Sequence, residues 1–229
     1  ESQAQKAAWI QDTVRGVSRL VKPCCASCLN PPFIDIGANL GYFTCLLGTL
    51  AGPSGKVLSI EPESANLALL EANVAMNDLT DVINIFPVAL GASEGKANLN
   101  LYKNSNRGRH SLVAVGSGKQ VVVPIKRLDA LVAEHLQTHD VIDFVKMDVE
   151  GYEPYVVQGA TGILDRIRCM SMEYAPYILK QTGANLLEFL RTVEKKFSKI
   201  YRIYRDSIEL TTIQEILRQE DAIDLIFEK

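Results

Sequence analysis

The stretch FIDIGANLGYFT, residues 33–44, decides the reading of this chain. Phe33–Ile36 is a short apolar run that stops at Gly37, the pattern of a strand buried on both faces. Small residues then let the backbone turn tightly. From Tyr42 the pattern becomes helical and runs to Leu50, before the stop signal Ala51-Gly52-Pro53. Strand, glycine turn and helix in this order form the first βα unit of an open α/β sheet, whose carboxyl edge is where such sheets bind ligands. Gly37 and Gly41 give the spacing G-x-x-x-G, whereas nicotinamide and flavin sites use G-x-G-x-x-G.

The same alternation continues outward from this unit. Lys56–Ile60 is the second strand, Ser64 caps a helix to about Asn77, and Val82–Val88 is the third strand. Ala97–Tyr102 and Gln120–Lys126 are β-rich runs around the polar segment Lys103–Lys119, which predicts a hairpin inserted into the series. Asp129 caps a helix to about Leu136, Val141–Asp148 is the fourth core strand, and Pro154 opens a helix to about Leu164. Arg168–Glu173 is the fifth strand and Ala184–Lys196 a helix; Ile200–Tyr204 and Ala222–Phe227 close the series around a short helix near Thr211–Arg218. The expectation is an α/β, Rossmann-like fold: a mainly parallel seven-stranded sheet, helices on both faces and an inserted β-hairpin. No linker divides the series, so residues 1–229 read as one domain, with a helical extension and linker over 1–32 and the core over 33–229.

Composition narrows the partners. Hydrophobic residues make up 47% of the 229 and charged residues 22%, the balance of a globular protein. A net charge of −3 and a pI near 5.7 offer no general attraction to nucleic acid or an anionic membrane, and no apolar run approaches a membrane span. Glu1–Val21 lacks the apolar centre of a signal peptide; Ser2–Val21 fits an amphipathic helix, and a first residue of Glu reads as a processed or trimmed start. Five cysteines, an odd number, argue against a disulfide framework, and the chain reads as cytoplasmic. Cys24, Cys25 and Cys28 resemble a partial metal site, but no fourth ligand is near, so the reading is a thiol-bearing linker without metal.

The glycine turn acquires meaning from Glu61, which ends the second strand 20 residues after Gly41 and is followed by Pro62. An acidic side chain there can accept hydrogen bonds from both ribose hydroxyls. Asp35 reads either as a turn cap or as a carboxylate facing a cationic amino or sulfonium group. A pyrophosphate would be repelled by it, so a positively charged adenosyl cofactor is favoured.

At this point the chain resembles the FkbM-type methyltransferases, S-adenosylmethionine-dependent enzymes acting mainly on hydroxyl oxygens. The resemblance rests on FIDIGANLGYFT (33–44), IEPE (60–63), the pair Asn73/Asn77 and HSL (110–112). It continues through VPIKRLDAL (123–131), FVKMDVEGYE (144–153), QGA (158–160) and MEY (172–174). It implies a class I methyltransferase fold and S-adenosylmethionine as cofactor. By the same resemblance Asp35, Gly37, Asn39, Gly41, Tyr42 and Thr44 fall in the cofactor turn, Glu61 and Pro62 at the ribose, and Ala89 after the third strand.

Methylating a hydroxyl requires its proton to leave as the oxygen attacks, a task for a carboxylate base. Asp148 and Glu150 emerge beyond the fourth strand, two apart and so on one face while the chain stays extended; Glu173 ends the neighbouring strand. Such acids could raise one another's pKa, or could hold a divalent metal, the less favoured reading. Glu153 reads as a helix cap or first-turn charge. In the polar segment, Arg109, His110 and Ser111 could reach a substrate or form a solvated tip, with His110 and Ser111 leaning to function. Asn30-Pro-Pro-Phe33 spells an amino-methyltransferase motif, but it lacks a strand feeding it and reads as linker. The expected activity is O-methylation of a small hydroxylated metabolite, a sugar, polyketide or similar, without nucleic acid or membrane. The alternatives are a cofactor-binding module without catalysis and a nucleotide-dependent oxidoreductase.

Overall fold

Apolar runs too short for helices and helices punctuated by glycine produce strict alternation at the start of the chain. The order is β1 (Pro32–Ile36), α1 (Tyr42–Ala51), β2 (Lys56–Ile60), α2 (Ser64–Met76) and β3 (Ile83–Phe86). The computed structural model describes residues 31–102, 110–113, 119–204 and 207–229. The expected helix Ser2–Val21, the cysteines 24, 25 and 28, Asn30 and Arg109 lie outside the described residues.

After β3 come β4 (Ala89–Leu90), β5 (Gly95–Leu101), β6 (Lys119–Lys126), α3 (Leu128–His135), β7 (Ile142–Met147) and α4 (Glu153–Gln158). The chain ends with β8 (Ile167–Tyr174), α5 (Pro176–Leu179), α6 (Leu186–Glu194), β9 (Lys199–Ile203), β10 (Ile208–Leu210), α7 (Ile213–Leu217) and β11 (Ile223–Glu228). The main sheet runs β10-β9-β11-β8-β7-β1-β2-β3. Its β8-β7-β1-β2-β3 half is parallel, while β11 pairs antiparallel with both β8 and β9. The sheet therefore has eight strands, not the expected seven. The extra strand, β10, is antiparallel to β9 and has only three residues, too few to show a period of two.

Alternation along each strand sends side chains to two cores. Phe33, Val57 and Phe144 pack with Leu47 of α1 and with Leu70 and Val74 of α2. Ile34, Leu58 and Val145 pack on the opposite face with Leu131 of α3, Val156 of α4, Leu190 of α6 and Ile216 of α7. The expected hairpin is present as β5 and β6, but it belongs to a separate three-stranded sheet with β4. The third strand, expected to run to Val88, breaks after Phe86 so that β4 can leave the main sheet for the small one.

Several helix starts differ from expectation by a residue. Glu63, not Ser64, is the cap of α2, its carboxylate accepting from the Asn66 N–H at 2.8 Å. Asp129 lies in the first turn of α3 behind Arg127 and accepts from that guanidinium. Pro154 is the second residue of α4, which stops at Gln158 rather than Leu164. The next residue is tightly packed: a Cβ on Gly159 would stand 2.1 Å from the Gly91 carbonyl oxygen beyond β4. Gly159→Ala should therefore destabilise the fold by about 1–3 kcal/mol, the range for overpacking a tight contact. Denaturant unfolding measures it, and an unchanged midpoint would mean that the contact yields freely.

Candidate functional site

The site grows from a polar row across the sheet. Ser59, Asp35, Lys146 and Ser171 occupy one register level on β2, β1, β7 and β8, and all are buried. Lysine is rarely buried unless paired. Lys146 Nζ donates to the Gly37 carbonyl at 2.8 Å and lies 3.6 Å from Asp35 Oδ1 and 3.5 Å from Asp148 Oδ2. Burial alone would lower its pKa; Asp148 and then Asp35 outweigh that and raise it above the usual lysine value. Asp35 is also held by the Thr44 hydroxyl at 2.6 Å, which in turn lies 2.8 Å from Ser59 Oγ.

Above this row the chain makes two turns in contact. Gly37, at φ +76°, is so close to the next turn that a Cβ would fall 1.8 Å from the Asp148 carbonyl oxygen. Gly37 and Ala38 N–H groups both donate to Ile60 O at 3.0 Å, and Asp148 N–H donates to Ile36 O at 3.0 Å. The carboxyl ends of β1, β2 and β7 are thus fixed together. Glu61 closes the group: Oε2 accepts from Asn39 N–H at 2.8 Å and Oε1 from Glu63 N–H at 2.9 Å. Its pKa is raised, chiefly by burial, and the N–H donors of Glu63 and Asn39 only partly offset this.

These elements frame a cleft of about 610 Å³. Of the expected residues, Gly37, Asn39, Glu61, Pro62, Ala89, His110, Asp148 and Glu150 line it. Asp35, Gly41, Tyr42, Thr44 and Glu173 are not among its lining residues. Asp35 is fully buried beneath the turn, where Thr44 and Lys146 use its carboxylate, so it does not face a cationic ligand as expected. Thr44 is buried with it, Gly41 lies buried against Leu70, and Tyr42 points outward, 52% exposed.

The acids differ from expectation in geometry. β7 ends at Met147 and Glu150 has φ +52°, so Asp148 and Glu150 are not on one extended face. A turn brings both to the cleft. That turn is pinned by Ser111, whose hydroxyl donates to Glu150 O at 2.6 Å. Glu153 is buried; its Oε1 accepts from Val149 N–H at 3.1 Å and Gly151 N–H at 3.3 Å, while Oε2 has no partner. Burial pushes Glu153 up to about 7. Glu173 is pushed up to about 9, first by burial and then by the charges of Asp148, Glu150, Asp224 and Glu153. His110 Nδ1 accepts the Tyr102 N–H at 3.1 Å, which leaves the neutral ring's proton on Nε2. Among the described residues, no group of three or more His, Cys, Asp or Glu is placed to hold a metal ion.

Lys146 was legible but not singled out: it is the one lysine in the apolar run IDFVKM. Asn66, Leu90, Leu99 and Tyr152 also line the cleft, and nothing in their local sequence marks them.

The model of the FkbM methyltransferase domain matches residues 35–215. Among solved structures, methyltransferase FkbM from Methylobacillus flagellatus superposes with a TM-score of 0.54 at 17% identity, covering 86% of this chain and 43% of its own. The chain thus spans less than half the length of that protein. A Clostridium thermocellum protein provisionally described as an rRNA methylase gives 0.56 at 11% identity, covering 96% and 94%. The METTL16 methyltransferase domain gives 0.51 at 16%, covering 94% and 66%. At such identities these likenesses show the fold. No curated protein matches the chain.

Two outcomes follow from the electrostatics. Lys146→Met leaves Asp35 and Asp148 without their cation and should cost about 3–5 kcal/mol in denaturant unfolding; an unchanged stability would contradict the pairing. For Glu153, the unfolded carboxyl titrates near 4.5 and the folded one near 7. Its contribution is fully present below pH ~4.5 and lost as pH rises through 7, because the unfolded chain ionises first. Glu153→Gln should therefore melt above the parent at pH 8 and converge with it at pH 4.5, by calorimetry. A gap independent of pH would rule out a buried, protonated Glu153.

Proposed function

This chain belongs to the FkbM methyltransferase domain family, and we propose that it transfers the methyl group of S-adenosylmethionine to a hydroxyl oxygen of a small metabolite. The observation that carries the reading is the cleft itself, lined by both Glu61 and Glu150. The family match sets aside the oxidoreductase alternative.

The residues suit an adenosyl cofactor. Glu61 Oε2 accepts from the Asn39 N–H and keeps lone-pair capacity for a ribose hydroxyl, while Oε1 accepts from the Glu63 N–H and, at 3.4 Å, from the Asn66 amide. Asn39 Oδ1 is buried without a partner beside it, an acceptor that a ligand donor would satisfy. Val88, Ala89, Leu90 and Leu99 give the cleft an apolar side for a flat base. When bound, S-adenosylmethionine supplies an electrophilic methyl carbon. Gly37 and Asn39 shape the pocket that holds it, and Glu61 fixes its ribose.

Glu150 takes the hydroxyl proton. Glu150 lines the cleft, the Asp148 carboxylate is answered by Lys146, and burial with the neighbouring acids raises Glu173. Asp148 instead orders the turn and lines the cofactor side. Among the described residues no helix is long and apolar enough to cross a membrane.

The test combines binding and turnover. Glu61→Ala should weaken S-adenosylhomocysteine binding at least ~10-fold by calorimetry, the loss of a charged contact of about 1.5–3 kcal/mol. Glu150→Gln should keep that affinity and lower methyl transfer by about 10²–10⁴-fold, followed by mass spectrometry on a panel of hydroxylated metabolites. Unchanged affinity in Glu61→Ala defeats the cofactor assignment. A methyl found on nitrogen or carbon ends the O-directed reading.

A further inference from the structure

The helix α2 carries a stripe of amides that runs away from the cleft. Asn66, Leu70, Asn73 and Asn77 follow one another at helical spacing, which places them on one face of α2 and its C-terminal cap. Asparagine is a poorer helix former than alanine, because its short amide competes for backbone groups. In a helix that otherwise reads SANLALLEANVAM, the amides on this face need contacts that offset their poor propensity.

Each member reaches the cofactor turn, its support or the next member. The Asn66 amide donates to Glu61 Oε1 at 3.4 Å. Leu70 packs on Gly41, where an added Cβ would stand 2.4 Å from Leu70 Cδ1. One helical turn further on, Asn73 Nδ2 donates to the Leu40 carbonyl at 2.7 Å. Asn77 then secures Asn73: its backbone N–H and its side-chain amide donate to Asn73 O at 3.2 and 2.7 Å. Neither Asn73 nor Asn77 is among the residues lining the cleft.

We infer that Asn73 is a positioning residue for the cofactor: through Leu40 it holds the Asn39–Gly41 turn in its binding shape from outside the cleft, and Asn77 fixes Asn73 in place. The inference rests on the cofactor reading above and adds a residue that acts on the ligand without touching it. The turn needs such an anchor. Asn39 and Gly41 flank Leu40 and both have positive φ, +52° and +88°. That region costs a residue other than glycine and persists where the surroundings impose it. On the cleft side, the Asn39 N–H is held by Glu61 Oε2 at 2.8 Å, on the carboxylate that a ribose would share. The Asn73 bond lies away from the cleft, so an entering ligand does not compete for it. Without it the turn would be ordered only as the ligand arrives, and that ordering cost lowers affinity.

Asn73→Ala in the full chain separates positioning from packing. Alanine is the better helix former, which offsets the lost hydrogen bond in the folding balance. The denaturant midpoint should therefore stay near the parent's, while calorimetry shows S-adenosylhomocysteine binding weakened about 3- to 10-fold. Hydrogen exchange by NMR on the ligand-free chain should show the Asn39 and Gly41 amides exchanging about threefold faster or more, with the β1 amides of Ile34–Ile36 unchanged. Glu71→Ala, at an exposed position of the same helix, should alter neither affinity nor exchange. Unchanged affinity in Asn73→Ala, or weaker affinity with unaltered exchange in the turn, overturns the inference. So does a fall in the midpoint large enough to account for the weaker binding, or an equal loss in Glu71→Ala. If the parent chain itself fails to bind S-adenosylhomocysteine, the cofactor assignment is defeated instead, and the exchange of Asn39 and Gly41 still decides whether Asn73 holds the turn.

Discussion

A single buried ammonium group holds the working edge of this molecule in place. Lys146 reaches the Gly37 carbonyl, Asp35 and Asp148 from the middle of the sheet, so one cation ties the first strand's turn to the fourth parallel strand's turn. Moving such a charge out of water is costly, and only its paired carboxylates offset that. The consequence is spatial. Because Gly37 and Asp148 touch through backbone atoms, the cofactor turn and the acid-bearing turn move as one piece, and the lip of the cleft is preorganised before a ligand arrives.

Around that piece, the two sheets have different duties. The eight-stranded sheet carries Glu61 and the acid-bearing turn, while His110 and Leu112, on the segment bridged to β5 at Ser111, line the same cleft. Ser111 is the joint between them: its hydroxyl accepts from Val113 N–H and donates to the Glu150 carbonyl. A hydroxyl can do both at once, which no apolar replacement could. The HSL segment therefore acts by holding the acid-bearing turn, and His110 follows it to the rim.

The parts legible in the sequence are those with a local cause. Phe33–Ile36 followed by Gly37, and Lys56–Ile60 followed by Glu61, announce strands and the polar groups at their ends, and the structure has them there. The first helix and the hairpin were equally readable. What failed depended on contacts distant in sequence. Asp35 looked like a ligand-facing carboxylate because its partners, Thr44 and Lys146, meet it only through register and helix packing. Asp148 and Glu150 seemed to share an extended face because the positive φ of a glutamate leaves no trace in composition. The strand Ile208–Leu210 escaped because three residues carry no period.

Glu150 sits in a backbone region that side chains avoid, at φ +52°, without glycine's freedom to be there. Such conformations cost of order 1–3 kcal/mol and persist where the surroundings impose them. Stability and activity are therefore antagonists at this residue. Glycine would relax the turn, and a redesign that ranks substitutions by folding energy alone would choose it and erase the carboxylate from the cleft.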